Sequence, residues 1–302
     1  MAVKSAWVMC NGQRVNATYD EDTQTWTAQV TAPAQSSWSQ PNHVYGLEIH
    51  AEDEAGNEAV MDSADETYGD ELKLRVLEKT KPTATITSPT EGSVLGATTQ
   101  QIKFSIKDAG GSGLNMDSVN LRINGVKVTS GISYTDGSGG EKIGTYTATN
   151  LSDGANKIQL TVQDNDGNTS DEDIVNFVIS TAAPTLNVTS PTEGLITNSK
   201  TLTVSGTATA GSDAVTLAEV TVNGQKATVT EGAFSMEVTL TEGENTITII
   251  AKDSIGKTTT VTRHITLDTK APVITDVVAS ATTVDASGTL TITFKVTDPT
   301  AA

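Results

Sequence analysis

The residues best suited to bind a metal ion lie in one turn, at 164–168, where the sequence reads Asp-Asn-Asp-Gly-Asn. Carboxylate and amide oxygens are the ligands that calcium prefers. A calcium site here would use Asp164, Asp166 and Asn168. The spacing differs from that of an EF-hand, which needs a glutamate at the twelfth position of its loop. A plain hairpin turn is the alternative interpretation, favoured because the matching turns at 54–57 and 254–257 have few oxygen ligands.

Acid–base catalysis requires a positioned base with a nucleophile, or paired carboxylates in a pocket. The three histidines, His43, His50 and His264, are far apart in the sequence, and alternation places His50 on the outward face of its strand. Most carboxylates lie in turns and acidic runs. We therefore expect no catalytic residues, and we expect the protein not to be an enzyme.

The first quarter of the chain holds all three tryptophans. Side chains alternate across a strand, and this alternation directs Trp7 and Met9 away from the core. Because aromatic rings contribute strongly to interfaces, we predict a partner-binding surface formed by Trp7, Met9, Trp38 and Tyr45. In the alternative interpretation, the loop that contains Trp38 or an insertion near Tyr68 folds over this face and buries it. Stacking of Trp7 or Trp38 on sugar rings is a third interpretation.

The elements that must position these residues repeat three times along the chain. Each repeat has an Asn-Gly turn, at 11–12, 124–125 and 223–224, and a later Asp-x-x-Gly turn, at 53–56, 164–167 and 253–256. Such repetition indicates tandem modules. Asn-Gly favours a two-residue β-hairpin, and the strand before it places Val8, Leu121 and Val220 on the core side. A later strand carries one large ring per repeat, which we expect at the centre of each core: Trp26, Tyr146 and Phe234.

Composition limits the partners of this chain. Its 302 residues carry a formal net charge of −18, and only 4% of them are aromatic. This charge repels nucleic acid phosphates and anionic membrane surfaces, so we expect no nucleic acid partner and no membrane insertion. The single cysteine, Cys10, excludes an internal disulfide framework, and no cysteine–histidine cluster is present for structural zinc.

Junctions that contain proline divide the chain at 80–82, 182–184 and 270–272. Proline fixes its own φ and favours an extended conformation for the residue before it. We predict domains at 1–79, 82–180 and 184–268, followed by a partial domain or strand-donating tail at 272–302. Asp108, Asp268 and Asp298 lie near module ends and could contribute to calcium binding at the junctions.

The final segment repeats only the beginning of a module, because residues 290–298 parallel residues 102–108. Two or three strands cannot bury a core of their own. Three interpretations follow: the chain stops within a domain, the segment is disordered, or its strands add to the sheet edge of a neighbour. The third would form a homo-oligomer through 272–302.

Several short motifs resemble those of a known family. Gly-x-Asn before an alternating strand, at 154–156 and 243–245, and the junction at 268–272 are similar to bacterial Ig-like (Big-type) repeats. Such repeats occur in adhesins, in appendages of secreted carbohydrate-active enzymes and in phage virion proteins. The resemblance covers 82–302 and implies an all-β fold of tandem Ig-like antiparallel β-sandwiches in an elongated array. Residues 1–79 match more loosely, since Tyr45 replaces the asparagine and an acidic insertion lies near 59–69.

The start of the chain, without a signal peptide and followed by such repeats, resembles Ig-like proteins found among phage tail genes. This resemblance implies a non-enzymatic structural or adhesion protein of a phage virion, made in the host bacterial cytoplasm. Its first domain would bind other virion or tail proteins, and its later domains would make weak contacts with host cell-surface glycans. The alternatives are a fragment of a bacterial cell-surface adhesin with Ig-like spacer repeats, and a carbohydrate-binding appendage of a secreted glycoside hydrolase.

Overall fold

A computed structural model describes residues 2–299, which contain β-strands, short 3-10 turns and no α-helix. The predicted all-β class, with Ig-like β-sandwiches in tandem, is confirmed. Within this range, no helix has the length and apolar character needed to cross a membrane. The residues form two compact units, one of residues up to 93 with 98–178, the other of 94–97 with residues from 179 onward. We call 1–79 the first module, 82–180 the second and 184–268 the third; these boundaries stay predictions.

The first module is built mainly on one sheet. Its strands are β1 (Val3–Cys10), β2 (Gln13–Asn16), β3 (Thr18–Asp20), β4 (Thr25–Thr27), β5 (Tyr45–Asp53), β6 (Glu58–Met61) and β7 (Lys73–Leu74). The sheet has the order β2-β1-β5-β6, with β7 also paired to β5, and β3 and β4 form a separate two-stranded pair. Short 3-10 turns at Ser37–Ser39 and Pro41–His43 lie before β5.

The second module is a two-layer sandwich. Its strands are β8 (Thr83–Ser88), β9 (Val94–Leu95), β10 (Gln100–Lys107), β11 (Leu114–Ile123), β12 (Val126–Lys127), β13 (Ser133–Asp136), β14 (Lys142–Ala148), β15 (Gly154–Asp164) and β16 (Asp173–Ile179), with a 3-10 turn at Ser138–Gly140. One sheet has the order β13-β14-β10-β8, and the other contains β12, β11, β15 and β16 in that order. Both sheets contribute alternating side chains to the core, of which Phe104 and Phe177 are the largest.

The third module repeats this plan. Its strands are β17 (Thr185–Ser190), β18 (Leu195–Thr197), β19 (Thr201–Thr209), β20 (Leu217–Val222), β21 (Gln225–Lys226), β22 (Thr228–Thr230), β23 (Ala233–Thr239), β24 (Gly243–Asp253) and β25 (Thr258–Leu267). The sheets have the orders β17-β19-β23-β22 and β18-β25-β24-β20-β21, and β18 runs parallel to β25. One apolar cluster joins both layers, with Val204 and Phe234 from the first sheet and Val220 and Ile249 from the second.

The Asn-Gly turns have the backbone that their sequence predicts. Asn11, Asn124 and Asn223 all have positive φ, as do the glycines that follow them, which is the conformation of the favoured hairpin turn. Two of these asparagines also bind the neighbouring strand. The side-chain oxygen of Asn124 accepts the N–H of Lys157, and that of Asn223 accepts the N–H of Thr248, both at 2.8 Å.

The expected core positions are confirmed in the second and third modules, where Leu121 and Val220 are fully buried. Phe234 is a central ring, as predicted. The same prediction is wrong for Tyr146 and Trp26, which are only half-buried. Phe104 on β10 lies in the core of the second module instead, because the strand that carries Tyr146 contributes Gly144 opposite that ring.

The ends of the described chain differ from the two complete sandwiches. In the first module, Val8 is only half-buried and Ile49 is 40% exposed. After the third module, β26 (Val273–Ala279) and β27 (Ile292–Thr297) form a two-stranded antiparallel pair, which we call the C-terminal hairpin. Every residue of both strands is exposed.

Candidate functional site

Trp7 lies within β1, opposite His50 of β5 and Asn16 of β2. Its ring stacks on the His50 imidazole, with centroids 5.1 Å apart and an interplanar angle of 11°. The guanidinium carbon of Arg14 lies 3.8 Å from the centroid of the Trp7 ring. Trp7 is therefore only 9% exposed, so the prediction that its ring is exposed is wrong, while its role in binding a partner stays a prediction. Strand alternation directs the Trp7 ring away from the core. The ring is nevertheless covered, because polar side chains of the two neighbouring strands lie over it.

His50 anchors this cover through two carboxylates. Its Nδ1 lies 2.6 Å from Glu58 Oε1, and its Nε2 lies 3.2 Å from Glu48 Oε2. The hydrogen bond with Glu58 is the main reason that the pKa of His50 is raised above 6.5, and Glu48 acts in the same direction. We call these residues, together with Trp7 and Arg14, the Trp7 cluster. Sequence reasoning missed the cluster, although Trp7 and His50 could both be assigned to the outward face.

The structure does not expose the other predicted partner-binding residues as one open surface. Met9 is half-buried on the same face as Trp7. Trp38 is half-buried in a 3-10 turn, where it stacks on His43 with centroids 4.1 Å apart. Tyr45 is buried at the start of β5, and its hydroxyl donates to the Gln35 carbonyl at 3.4 Å. Binding of a partner by these residues stays a prediction.

The acidic turn at 164–168 is held together by Asp164 itself. Asp164 Oδ1 accepts the backbone N–H of Asn168 at 2.8 Å, and Oδ2 accepts the Asn168 side-chain amide at 2.7 Å. Asp53 and Asn57 make the same two bonds in the first module, and the Asn57 side chain is the main cause that lowers the pKa of Asp53 below 3.8. These bonds are those of a hairpin turn closed by a carboxylate.

The remaining polar groups of this turn bind the linker between the first and second modules. Asp166 Oδ2 accepts the Glu78 N–H at 3.0 Å, and the Asn168 amide donates to the Glu78 carbonyl at 3.1 Å. Asp164, Asp166 and Asn168 therefore all make hydrogen bonds within the protein. Calcium binding by these three residues stays a prediction.

Three carboxylates meet beside this turn. One oxygen each of Glu78, Asp108 and Asp164 lie within 4.8 Å of one another, and among the described residues these are the acids that could hold a metal ion together. Glu78 Oε1 accepts the N–H and the hydroxyl of Ser112, at 3.0 and 2.6 Å. Asp108 accepts backbone N–H groups of the glycine-rich loop that follows it. Each carboxylate thus has at least one donor from the protein, but Glu78 Oε2 is buried and has no hydrogen-bond partner among the described residues.

A glycine makes room for the Glu78 side chain. A Cβ atom at Gly110 would lie 1.1 Å from Glu78 Oε2, so no other residue fits there with Glu78 in place. Sequence reasoning assigned Asp108 to a module end but did not connect it with Glu78. The available signal was the unusual loop at 108–113, which contains three glycines behind an aspartate.

Comparison with known proteins agrees with this architecture. Residues 82–167 match the family described as bacterial Ig domain, and residues 184–269 match the family described as glucodextranase, domain B. The chain is 33% identical over 128 residues to Bacillopeptidase F of Bacillus subtilis (strain 168), a match that covers 42% of this chain. It spans only 9% of that relative's length.

Solved structures with similar architecture include other tandem modules. Fibronectin(III)-like modules of Clostridium thermocellum CbhA match with a TM-score of 0.35 and 20% identity, covering 61% of this chain and 93% of theirs. The D1–D4 ectodomain fragment of ICAM-5 matches with a TM-score of 0.44 and 17% identity, covering 86% of this chain and 66% of that one. The match of residues 82–167 is to an Ig-like domain family, and Ig-like folds are typically non-catalytic modules.

Proposed function

We propose that this protein is a non-catalytic structural and adhesion protein whose Ig-like modules act as spacers. The observation that carries the proposal is the fixed linker before the second module. Glu78 is bound through its side chain to Ser112, through its N–H to Asp166 and through its carbonyl to Asn168. Linkers between domains are usually exposed and flexible, with few contacts across them. A linker held at three points keeps a module in a defined direction, as a spacer requires.

In the finer form of this proposal, the protein is part of a phage virion and is associated with the tail. The first module binds other virion proteins, and the later modules make weak contacts with host surface glycans. The resemblance of the start of the chain to tail-associated Ig-like proteins supports this placement. In the third module, Phe234 is the single phenylalanine, tyrosine or tryptophan and is buried, so glycan contact there would use polar side chains and backbone groups.

A second candidate is a non-catalytic segment that accompanies an extracellular enzyme or an adhesin. The similarity to part of Bacillopeptidase F and to a glucodextranase domain favours it. In both candidates the modules position another functional part. They differ in what the chain is attached to.

One experiment separates the two candidates. Particles released from a lysogen that carries the gene are purified on a density gradient, and an antibody against this chain is located by negative-stain microscopy. We expect label on the tails and the chain in the particle fraction by mass spectrometry. Recovery of the chain only with the cell envelope or culture medium, joined to a longer polypeptide, would exclude the virion and support the second candidate.

A further inference from the structure

The chain crosses from one sheet of the second module to the other through residues 128–132, between β12 and β13. Two cavities adjoin this crossing, one of about 350 Å³ and one of about 250 Å³. Both are lined by the same four residues: Lys127, Val128, Thr129 and Ser130. Each also has a buried apolar side chain, Val119 in the larger cavity and Ala148 in the smaller one. We call the two cavities together the tyrosine cleft, because Tyr134 lines the first and Tyr146 the second.

These are the two tyrosines of the second module, and they lie on one face of the same sheet. Tyr134 of β13 is opposite Gly144 of β14, and Tyr146 follows two residues later on β14, where the side chain points to the same side. The edge of one ring meets the face of the other where Tyr134 packs on Phe104, with centroids 6.2 Å apart and an interplanar angle of 82°. The buried core therefore holds the Tyr134 ring in place, although this residue is 36% exposed.

The third module has the same cleft without the rings. Its cavity, of about 650 Å³, contains Lys226, which corresponds to Lys127 because both lie three residues after the asparagine of their Asn-Gly turn. All the residues that line this cavity are aliphatic or polar. Phe234, at the position that matches Tyr146, is buried in the core. The tyrosines of the second module are therefore an addition to a shared plan, and the fold does not require them.

The polar groups of the tyrosine cleft are available to a ligand. Asp117 and Lys127 both line the larger cavity and are exposed. Within the described part of the chain, neither of these side chains forms an ion pair or a hydrogen bond, and neither tyrosine hydroxyl has a hydrogen-bond partner. Burial raises the pKa of Tyr134 above 10.0, so its hydroxyl keeps the proton at neutral pH and can both donate and accept.

This combination suits a neutral sugar. A sugar ring has an apolar face of C–H groups, which an aromatic ring can cover, and hydroxyl groups that both donate and accept hydrogen bonds. Asp117 can accept from such hydroxyls and Lys127 can donate to them. Ligand sites typically combine apolar and aromatic walls with a few polar groups. The net charge of −18 repels acidic polysaccharides, which leaves neutral ones favoured.

A proline-rich peptide is the other ligand that binds to grooves lined by aromatic rings. Proline has no backbone N–H, so a run of prolines offers acceptors to Lys127 and no donor to Asp117. The hydroxyls of a sugar satisfy both charged groups. The cleft therefore fits a sugar better than this peptide.

We propose that the tyrosine cleft of the second module binds a neutral oligosaccharide. The rings of Tyr134 and Tyr146 pack against the apolar faces of its sugar units, and Asp117 and Lys127 form hydrogen bonds with its hydroxyl groups. This inference rests on the glycan contact in the proposed function and locates that contact. Several copies displayed together bind a surface more tightly than one copy, because each later contact forms at a high effective concentration.

The test begins with the full-length chain, joined through a biotinylated tag to streptavidin so that several copies are displayed together. It is applied to an array of neutral oligosaccharides of hexoses and N-acetylhexosamines, with acidic oligosaccharides and decaproline on the same array. We expect binding to neutral oligosaccharides and little to the other two groups. The neutral oligosaccharide that binds best is then titrated into isotope-labelled chain, and the backbone amide signals of Thr129, Ser130 and Gly131 should shift.

Four variants of the cleft test the named contacts. Tyr134→Ala and Tyr146→Ala should each weaken binding about tenfold or more, the effect of removing a central aromatic contact. Asp117→Asn and Lys127→Met should weaken it about tenfold, because each removes a charged hydrogen-bonding group. These last two side chains have no partner among the described residues, so their loss leaves the fold unchanged.

Two matched controls change the same residue types elsewhere. Lys226→Met alters the corresponding lysine of the third module, and Tyr68→Ala removes an exposed tyrosine of the first module. Both should bind like the parent chain. Unchanged hydrogen exchange in β10 and β15 would show that each cleft variant keeps the second module folded.

Three outcomes would overturn the proposal: a parent chain that binds no neutral oligosaccharide, binding of decaproline without binding of sugar, or full affinity in both tyrosine variants. In the last case the glycan contact stands and lies elsewhere on the chain. The antibody labelling of particles decides the virion role separately, because it does not depend on sugar binding.

Discussion

At the scale of single residues, an aspartate closes the same turn in all three modules, but its surroundings differ. In the first two modules an asparagine side chain, Asn57 or Asn168, binds Oδ2 of the aspartate. In the third module Lys257 stands at that position and gives only its backbone N–H, to Oδ1 of Asp253. Asp253 is 1% exposed, and within the described chain its Oδ2 has no hydrogen-bond partner.

We therefore expect Lys257→Asn to stabilise the third module. A buried acceptor without a partner costs about 1–3 kcal/mol, and the asparagine amide would supply the partner found in the other modules. Hydrogen exchange of the strands β24 and β25, followed by mass spectrometry, should show slower opening. Lys257→Ala is the matched control, because it removes the lysine without adding an amide. Equal protection in the asparagine and alanine variants would contradict this explanation.

The Trp7 cluster predicts a pH dependence of the first module. The pKa of His50 is raised above 6.5 in the folded protein, mainly by its hydrogen bond with Glu58. A raised pKa means that the folded state binds the proton more tightly, so this stabilisation is complete below about pH 6.5 and is lost as pH rises through the folded-state pKa. We expect the melting temperature of the first module to fall across that window.

Tryptophan fluorescence can measure this transition selectively, because all three tryptophans lie in the first module. His50→Gln should remove most of the dependence above pH 6.5. His264→Gln, which changes an exposed histidine of the third module, should leave the dependence intact. The same slope in His50→Gln and the parent chain would mean that His50 does not control it.

At the scale of elements, the second and third modules carry the large core ring on different strands, and in each module a glycine lies opposite the ring. Phe104 of β10 lies opposite Gly144 of β14, whereas in the third module Gly206 of β19 lies opposite Phe234 of β23. A Cβ atom at Gly144 would lie 2.2 Å from Phe104 Cζ, and one at Gly206 would lie 2.1 Å from the Asn187 carbonyl oxygen and 2.8 Å from Phe234 Cε1. The ring therefore requires a glycine opposite it in the second module, and in the third module the ring and the Asn187 carbonyl together require one.

Gly144→Ala should destabilise the second module by about 1–3 kcal/mol, the usual cost of overpacking a filled core. Hydrogen exchange of β10 and β14 should become faster, while that of β19 and β23 should not change. Phe104→Leu in the Gly144→Ala background should recover part of the loss, because it removes the outer carbons of the ring. A double variant less stable than Gly144→Ala alone would argue against a clash between these two residues.

At the scale of the whole molecule, the second and third modules each bury a complete core, while the first module and the C-terminal hairpin do not. The chain carries a formal net charge of −18. Charge of one sign keeps copies apart at low salt, and screening weakens this repulsion. Self-association of the chain, measured by sedimentation over a range of salt concentrations, should therefore be weaker at low than at moderate ionic strength.

The sequence alone determined the features that depend on neighbours a few residues away. Alternation identified Leu121 and Val220 as core, and Asn-Gly identified the hairpin turns, because both signals are local. The three repeats then established tandem β-sandwiches. Even the direction of Trp7, outward on its strand, followed from alternation.

Only the tertiary structure decided which distant side chains meet. Glu78 binds Asp166, which lies 88 positions later in the sequence. His50 covers Trp7 because β1 and β5 pair in a register that no local sequence signal fixes. The positions of the core ring and its opposite glycine, and the 40% exposure of Ile49, likewise depend on which strands lie opposite each other. Strand pairing brings together residues that are far apart in the sequence. Whether such a residue is buried therefore depends on the strand that pairs with its own strand, as well as on the residue pattern of its own strand.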